Sequence, residues 1–148
     1  MSILVGLGLM FAGLLAGIEA VVRYGVHPAL NAMPDDVHLR ARHEIVRIVR
    51  VIVPAVMLPS VVVAVVCLVV TSSGPAYGLR FAAVAVYAIY LVVVFAGTVP
   101  INDRFFKWDV SNPPADWKSV IRRWALIDVV RSSAAIVAFG LLVAAAVI

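Results

Sequence analysis

Three long stretches of this chain carry no charged residue: Val51–Leu79, Phe81–Asn102 and Ser132–Ile148. A fourth, Ile3–Val22, carries only Glu19. Runs of about 20 apolar residues at helical rise match the hydrocarbon thickness of a bilayer. The sequence therefore predicts an all-α, integral membrane four-helix bundle, one domain over 1–148, with spans near 3–24, 45–71, 78–99 and 122–148. None of the runs shows the polar outer face that a water-soluble bundle needs. Charged residues make up 14% of the chain, against about a quarter in a soluble domain. The first run lacks a basic start and is longer than the apolar part of a leader peptide, so it reads as a mature helix.

The net charge of +4 points to orientation rather than to nucleic acid, because the basic residues are clustered. Every Lys and Arg except Arg80 lies in Arg23–Arg50 or Arg104–Arg131. By the positive-inside rule, loops 24–47 and 100–124 are cytoplasmic in a multi-pass protein of the cell membrane, and both termini and the Thr71–Leu79 turn lie outside (N-out/C-out). The expected partners are then the lipid bilayer and small molecules, with no nucleic acid. Cys67, the single cysteine, reads as a packing residue.

No repeat or linker is evident. Pro54 and Pro59 predict a kink in the second span. Gly13 and Gly17 form a small-xxx-small pair that lets another helix approach, either in the same chain or in a second copy as a homo-oligomer. Asp35–Asp36 suits a helix start, and so does Pro-Pro-Ala-Asp-Trp at 113–117. The long cytoplasmic loop between the third and fourth spans exceeds what a tight connection needs.

In the fourth span, Trp117, Ile121, Trp124, Asp128 and Arg131 are spaced 4, 3, 4 and 3 and share one face, continued by the small Ala135 and Ala138. This is either an i, i+3 ion pair with interfacial tryptophans, or a pocket wall with Asp128 as base and Arg131 as its counter-charge. His43, Arg47, Arg50 and Pro54 make a second polar seam, in which His43 has the chemistry to move protons. Its arginines read as a helix end facing acidic headgroups. His27 and His38 read as interfacial. Glu19 reads as an i, i+4 partner of Arg23. If it points inward instead, Glu19, His43 and Asp128 form the set for a metal such as copper or iron. Tyr87 and Tyr90 in the third span either bond within the bundle, pack, or face a substrate.

Thr98-Val99-Pro100-Ile101-Asn102, Trp108, Pro114-Ala115-Asp116-Trp117, Arg123-Trp124 and Arg131-Ser132 together resemble the signature of the anthrone oxygenase-like family of small four-helix membrane proteins. The resemblance is strongest in the second half of the chain. Thr98 stands where the family pattern has Asn, and Asp128 where it has His or Asn. The resemblance implies an oxidoreductase of secondary metabolism that oxygenates an anthrone-type aromatic polyketide with O2, with no metal or flavin cofactor. On that reading Asp128 or His43 is the base, Arg131 and Asn102 hold the oxyanion, and Trp108, Trp117 and Trp124, with Tyr87 and Tyr90, border a lipophilic aromatic substrate. The rival readings are a metal-dependent membrane oxidase and a non-enzymatic membrane subunit or small-molecule carrier.

Overall fold

A computed structural model describes residues 2–71 and 73–148. Met1 and Ser72, the latter inside the expected outer turn, lie outside the described residues. The chain forms α1 (Ser2–Val21), α2 (His27–Asn31), α3 (Asp35–Val70), α4 (Tyr77–Val93), α5 (Val99–Phe106) and α6 (Trp117–Val147). A π-helical turn, Val22–Val26, joins α1 to α2, and a second, Val94–Thr98, joins α4 to α5. Four continuous helical spans result, Ile3–Asn31, Asp35–Val70, Tyr77–Phe106 and Trp117–Val147, each long and apolar enough to cross a membrane. The architecture is all-α, and the composition of the spans makes this a membrane protein.

The spans are longer than the charge pattern indicates, and all the extra length is at the polar end. The first span runs on to Asn31, the second starts at Asp35 rather than near 45, the third continues to Phe106, and the fourth starts at Trp117 rather than near 122. The long loop between the third and fourth spans shrinks to Lys107–Asp116. Amphipathic turns at a helix end look like loop when apolar runs are counted, because charged residues occupy their solvent side. At 36 residues α3 is about 54 Å long, well beyond a ~30 Å apolar core, so its polar turns extend past the membrane. Asp35 and Asp36 fill its first turn, as expected, while Pro34 holds the cap position. α3 is a single helix through both Pro54 and Pro59.

The other two proline sites have a clearer effect. Val22-Arg23-Tyr24-Gly25-Val26-His27-Pro28 and Val94-Phe95-Ala96-Gly97-Thr98-Val99-Pro100 are the same seven-residue pattern, V-x-x-G-x-x-P, and both fold as a π turn followed by α-helix. Only three of the seven positions are shared, so the repeat stands out once both segments are seen to fold alike. A proline inside a helix removes one N–H and crowds the carbonyl four residues earlier. Here the residue before each proline bonds one position further back, His27 N–H to Val22 O and Val99 N–H to Val94 O. The wider turn inserts one residue into the helical count and rotates everything after it.

The spans pack as a ring, α1 against α3, α3 against α4, α4 against α6, and α6 against α1. The centre of the apolar half is filled by small and medium residues, among them Ala12, Leu15, Ala64, Ala83, Ala135 and Ala138, all essentially inaccessible. Gly13 belongs to this packing: a Cβ built there would lie 3.3 Å from the Phe139 ring of α6, so its partner is in the same chain. Gly17 is exposed, with nothing within 4 Å of such a Cβ among the described residues. A smaller cluster closes the polar end, where Leu39, Phe105 and Ile121 are buried beneath Trp108, Val110 and Trp117. Two ion pairs tie down its rim, Lys118 Nζ to Asp35 at 2.8 Å and Arg104 to Asp116 at 2.9 Å.

Candidate active site

At the polar end of the ring the interior stops being apolar. Glu19 of α1 is fully buried, and Asp128 and Arg131 of α6 are nearly so. Arg131 Nη2 donates to Asp128 Oδ1 at 2.6 Å and lies 3.1 Å from Glu19 Oε2. Tyr90, also fully buried, reaches across the diagonal from α4 and donates its hydroxyl to Glu19 Oε1 at 2.6 Å. His27 Nε2 stands 3.4 Å from Asp128 Oδ2, and its ring lies on Trp124 with centroids 4.5 Å apart. One guanidinium thus holds two carboxylates, each of which has a second neighbour from another helix. Buried charges persist only with such partners, since an isolated ion in apolar surroundings costs several kcal/mol.

The i, i+3 pairing of Asp128 and Arg131 matches the spacing argument, but Glu19 does not pair with Arg23. Glu19 turns inward, while Arg23 donates to Ser132 and Ser133 of α6 at 3.3 and 2.9 Å. His43 is not part of the network. It packs against the rings of Phe105 and Phe106 and has Glu44 at 3.9 Å. Glu19, His43 and Asp128 are therefore not brought together, and among the described residues no group of three His, Cys, Asp or Glu side chains is placed to share a metal ion. The second span buries the face one residue away from the one the sequence favoured. Leu39, Arg42, Val46, Val53, Met57, Ser60, Ala64 and Cys67 face inward, while Arg47 and Arg50 are exposed.

Two buried polar residues, Arg42 and His27, are not indicated by the sequence spacing of the polar seams. Arg42, 3% exposed, lies on the buried face of α3, and extending the spacing of Cys67, Ala64, Ser60 and Met57 back through Val53 and Val46 leads to it. Its guanidinium sits over Trp124, 4.9 Å from the ring centroid, and its Nε donates to His38 Nε2 at 3.0 Å. His27 was hidden by the π turn: α-helical counting from Glu19 points Val26 inward, and the extra residue puts His27 there instead.

Beside the network lies a cavity of about 100 Å3, lined by residues of all four spans. By the same measure a water needs roughly 10–15 Å3, so there is room for a small group of ligand atoms. Its walls are mainly apolar, with Val22, Val46, Val53 and Val94 among them, and the two π turns contribute from opposite sides. The polar groups facing it are Arg42, Arg50, Thr98, Asn102, Trp124 and Arg131. Asp128 is not among the lining residues; it sits behind Arg131 and fixes it.

A family model described as anthrone oxygenase matches residues 43–141. The chain belongs to the anthrone oxygenase family. Neither a curated protein nor a solved structure shows significant similarity to it. Membership in the anthrone oxygenase family points to oxygenase-type, oxidoreductase chemistry. The matched segment contains Asn102, Trp124, Asp128 and Arg131, whereas Glu19, His27 and Arg42 precede it.

Of the catalytic and substrate-binding residues expected from sequence, Asn102, Trp124 and Arg131 reach the cavity, and Arg50 and Pro54 of the second seam and Thr98 also line it. Trp108 and Trp117 instead close the small apolar cluster at the polar end. Tyr87 is held in the core by a 2.7 Å hydrogen bond with Ser60, and Tyr90 is engaged with Glu19. Both tyrosines therefore stand within the bundle rather than on the cavity wall.

Proposed function

We propose that the protein is a membrane-embedded oxygenase of lipophilic anthrone-type phenols that binds its substrate as an anion in this cavity. The observation that carries the reading is Arg131: a buried guanidinium, fixed from behind by two carboxylates, that faces an apolar cavity also lined by Asn102. An anthrone becomes reactive toward O2 once it loses a proton from its C–H or phenol. The resulting anion is electron-rich and can give up electrons to O2. Carbon–oxygen bond formation then yields a hydroperoxide on the former C–H carbon. Loss of that carbon's remaining hydrogen as a proton, with cleavage of the O–O bond, releases water and leaves the quinone carbonyl. The overall change is anthrone plus O2 to quinone plus water.

The protein's contribution is to favour the anion. Arg131 and Asn102 are the donors for the oxyanion, in surroundings where a fixed charge acts more strongly than in water. Asp128 keeps Arg131 oriented and, lying behind it, is a positioning residue rather than the base. Trp124 supplies the aromatic wall. A cavity opening among apolar spans suits a flat substrate that partitions into lipid.

The test is oxygen uptake by purified protein in nanodiscs supplied with an anthrone. Arg131→Lys, which keeps the charge but loses the planar fork, is expected to lower kcat by about 10²–10³-fold, the size of losing an oxyanion donor. Asp128→Asn retains an acceptor for Arg131 and is expected to lose only about tenfold, less than the roughly 10²–10⁴-fold that removing a general base costs. No oxygen uptake with any anthrone would overturn the reading, and collapse of Asp128→Asn by more than a thousandfold would return the base role to Asp128.

A further inference from the structure

Two guanidiniums besides Arg131 line the cavity: Arg50, exposed and resting on Phe106, and Arg42, which is buried and has no carboxylate partner among the described residues. It is 3% exposed, yet neither Nη1 nor Nη2 has a hydrogen-bond partner among the described residues. Its Nε is tied back to His38, one turn earlier on the same helix, and its flat face rests on Trp124. Those two contacts hold the group and leave both Nη atoms without a partner among the described residues, on a side chain that lines a mainly apolar cavity. The ring contact compensates only part of the cost of burying a cation. Arg131, by contrast, spends its charge on Glu19 and Asp128.

Two parallel N–H donors on a fixed planar group match a carboxylate in bidentate geometry. We infer that the cavity takes a flat aromatic carboxylate, with its acid group on the Nη edge of Arg42 and its ring system against Trp124. The inference rests on the oxygenase reading for the ring system alone; the acid group follows from Arg42. It places the substrate between two arginines with separate tasks: Arg42 anchors a permanent anion, and Arg131 holds the oxyanion that develops at the reacting ring.

The experiment uses unreactive product-like probes, so that binding is read apart from turnover. Anthraquinone-2-carboxylate and its methyl ester are titrated against the protein in phosphatidylcholine nanodiscs by tryptophan quenching, with empty nanodiscs subtracted. The acid is expected to bind at least tenfold more tightly than the ester. Arg42→Gln is expected to erase that preference by weakening the acid and leaving the ester unchanged, and Arg42→Lys to restore part of it. Equal affinity for acid and ester, or acid binding that survives Arg42→Gln, overturns the inference. If the glutamine variant does not fold, the wild-type preference and the Arg42→Lys variant decide. Acid affinity at least tenfold higher in phosphate-free maltoside micelles than in the nanodiscs assigns the Arg42 site to a lipid phosphate and also overturns it. Oxygen uptake with a neutral anthrone but no acid preference leaves the oxygenase reading standing and removes this one. Acid preference without uptake from any anthrone, with or without an acid group, does the reverse.

Discussion

The two halves of the bundle use the same four spans in opposite ways. In one, Ala12, Ala83, Ala135 and Ala138 bring the helices together with little but shape and dispersion. In the other, the same ring closes around Glu19, Asp128, Arg131, Tyr90, His27 and Arg42. Apolar contacts tolerate small shifts of one helix against another, whereas a 2.6 Å hydrogen bond between buried groups does not. The apolar half lets the spans associate. The polar half fixes how they are turned and opens a cavity beside fixed charges. Both π turns belong to the polar half, where they rotate His27 toward Asp128 and put Thr98 on the cavity wall.

Arg131→Met should break this contrast most severely. It leaves two buried carboxylates without their shared cation and is expected to cost about 3–5 kcal/mol in unfolding equilibria in mixed micelles. A loss no larger than that of a single neutral hydrogen bond would show that the network does not hold this end. Tyr90→Phe comes next. It removes a hydrogen bond to a carboxylate while keeping the ring, with an expected cost of about 1.5–3 kcal/mol in the same measurement. Tyr87→Phe is the matched control nearer the apolar half. It loses only the neutral Ser60 bond and is expected to cost about 0.5–1.5 kcal/mol. If the two tyrosine variants are equally destabilised, the difference between the halves is not electrostatic.

Much of this was legible in the residues. Charge-free runs are long enough to count, so four spans follow from them directly. The spacing of Ile121, Asp128, Arg131, Ala135 and Ala138 gave the buried face of α6, because that helix is uninterrupted from Trp117 to Val147. The same counting failed in the first span, where Pro28 forces a π turn and shifts the register by one residue. It fails in α3 because the seam of His43, Arg47 and Arg50 is the half-exposed face of that helix, and the buried face one residue away carries Arg42. The loop between the third and fourth spans was overestimated because half-exposed helical turns have loop-like composition.

Composition and periodicity by themselves determined that this is an all-α membrane protein, and that Asp128 and Arg131 share a helix face, since both are properties of one segment at a time. Only the tertiary structure decided that Glu19 serves Arg131 rather than Arg23, that His27 rather than His43 meets Asp128, and that Arg42 lines the cavity with its Nη groups unpartnered among the described residues. The physical reason is that a buried charge takes whichever partner the packing of other helices brings within about 3 Å, and that partner can lie anywhere in the sequence.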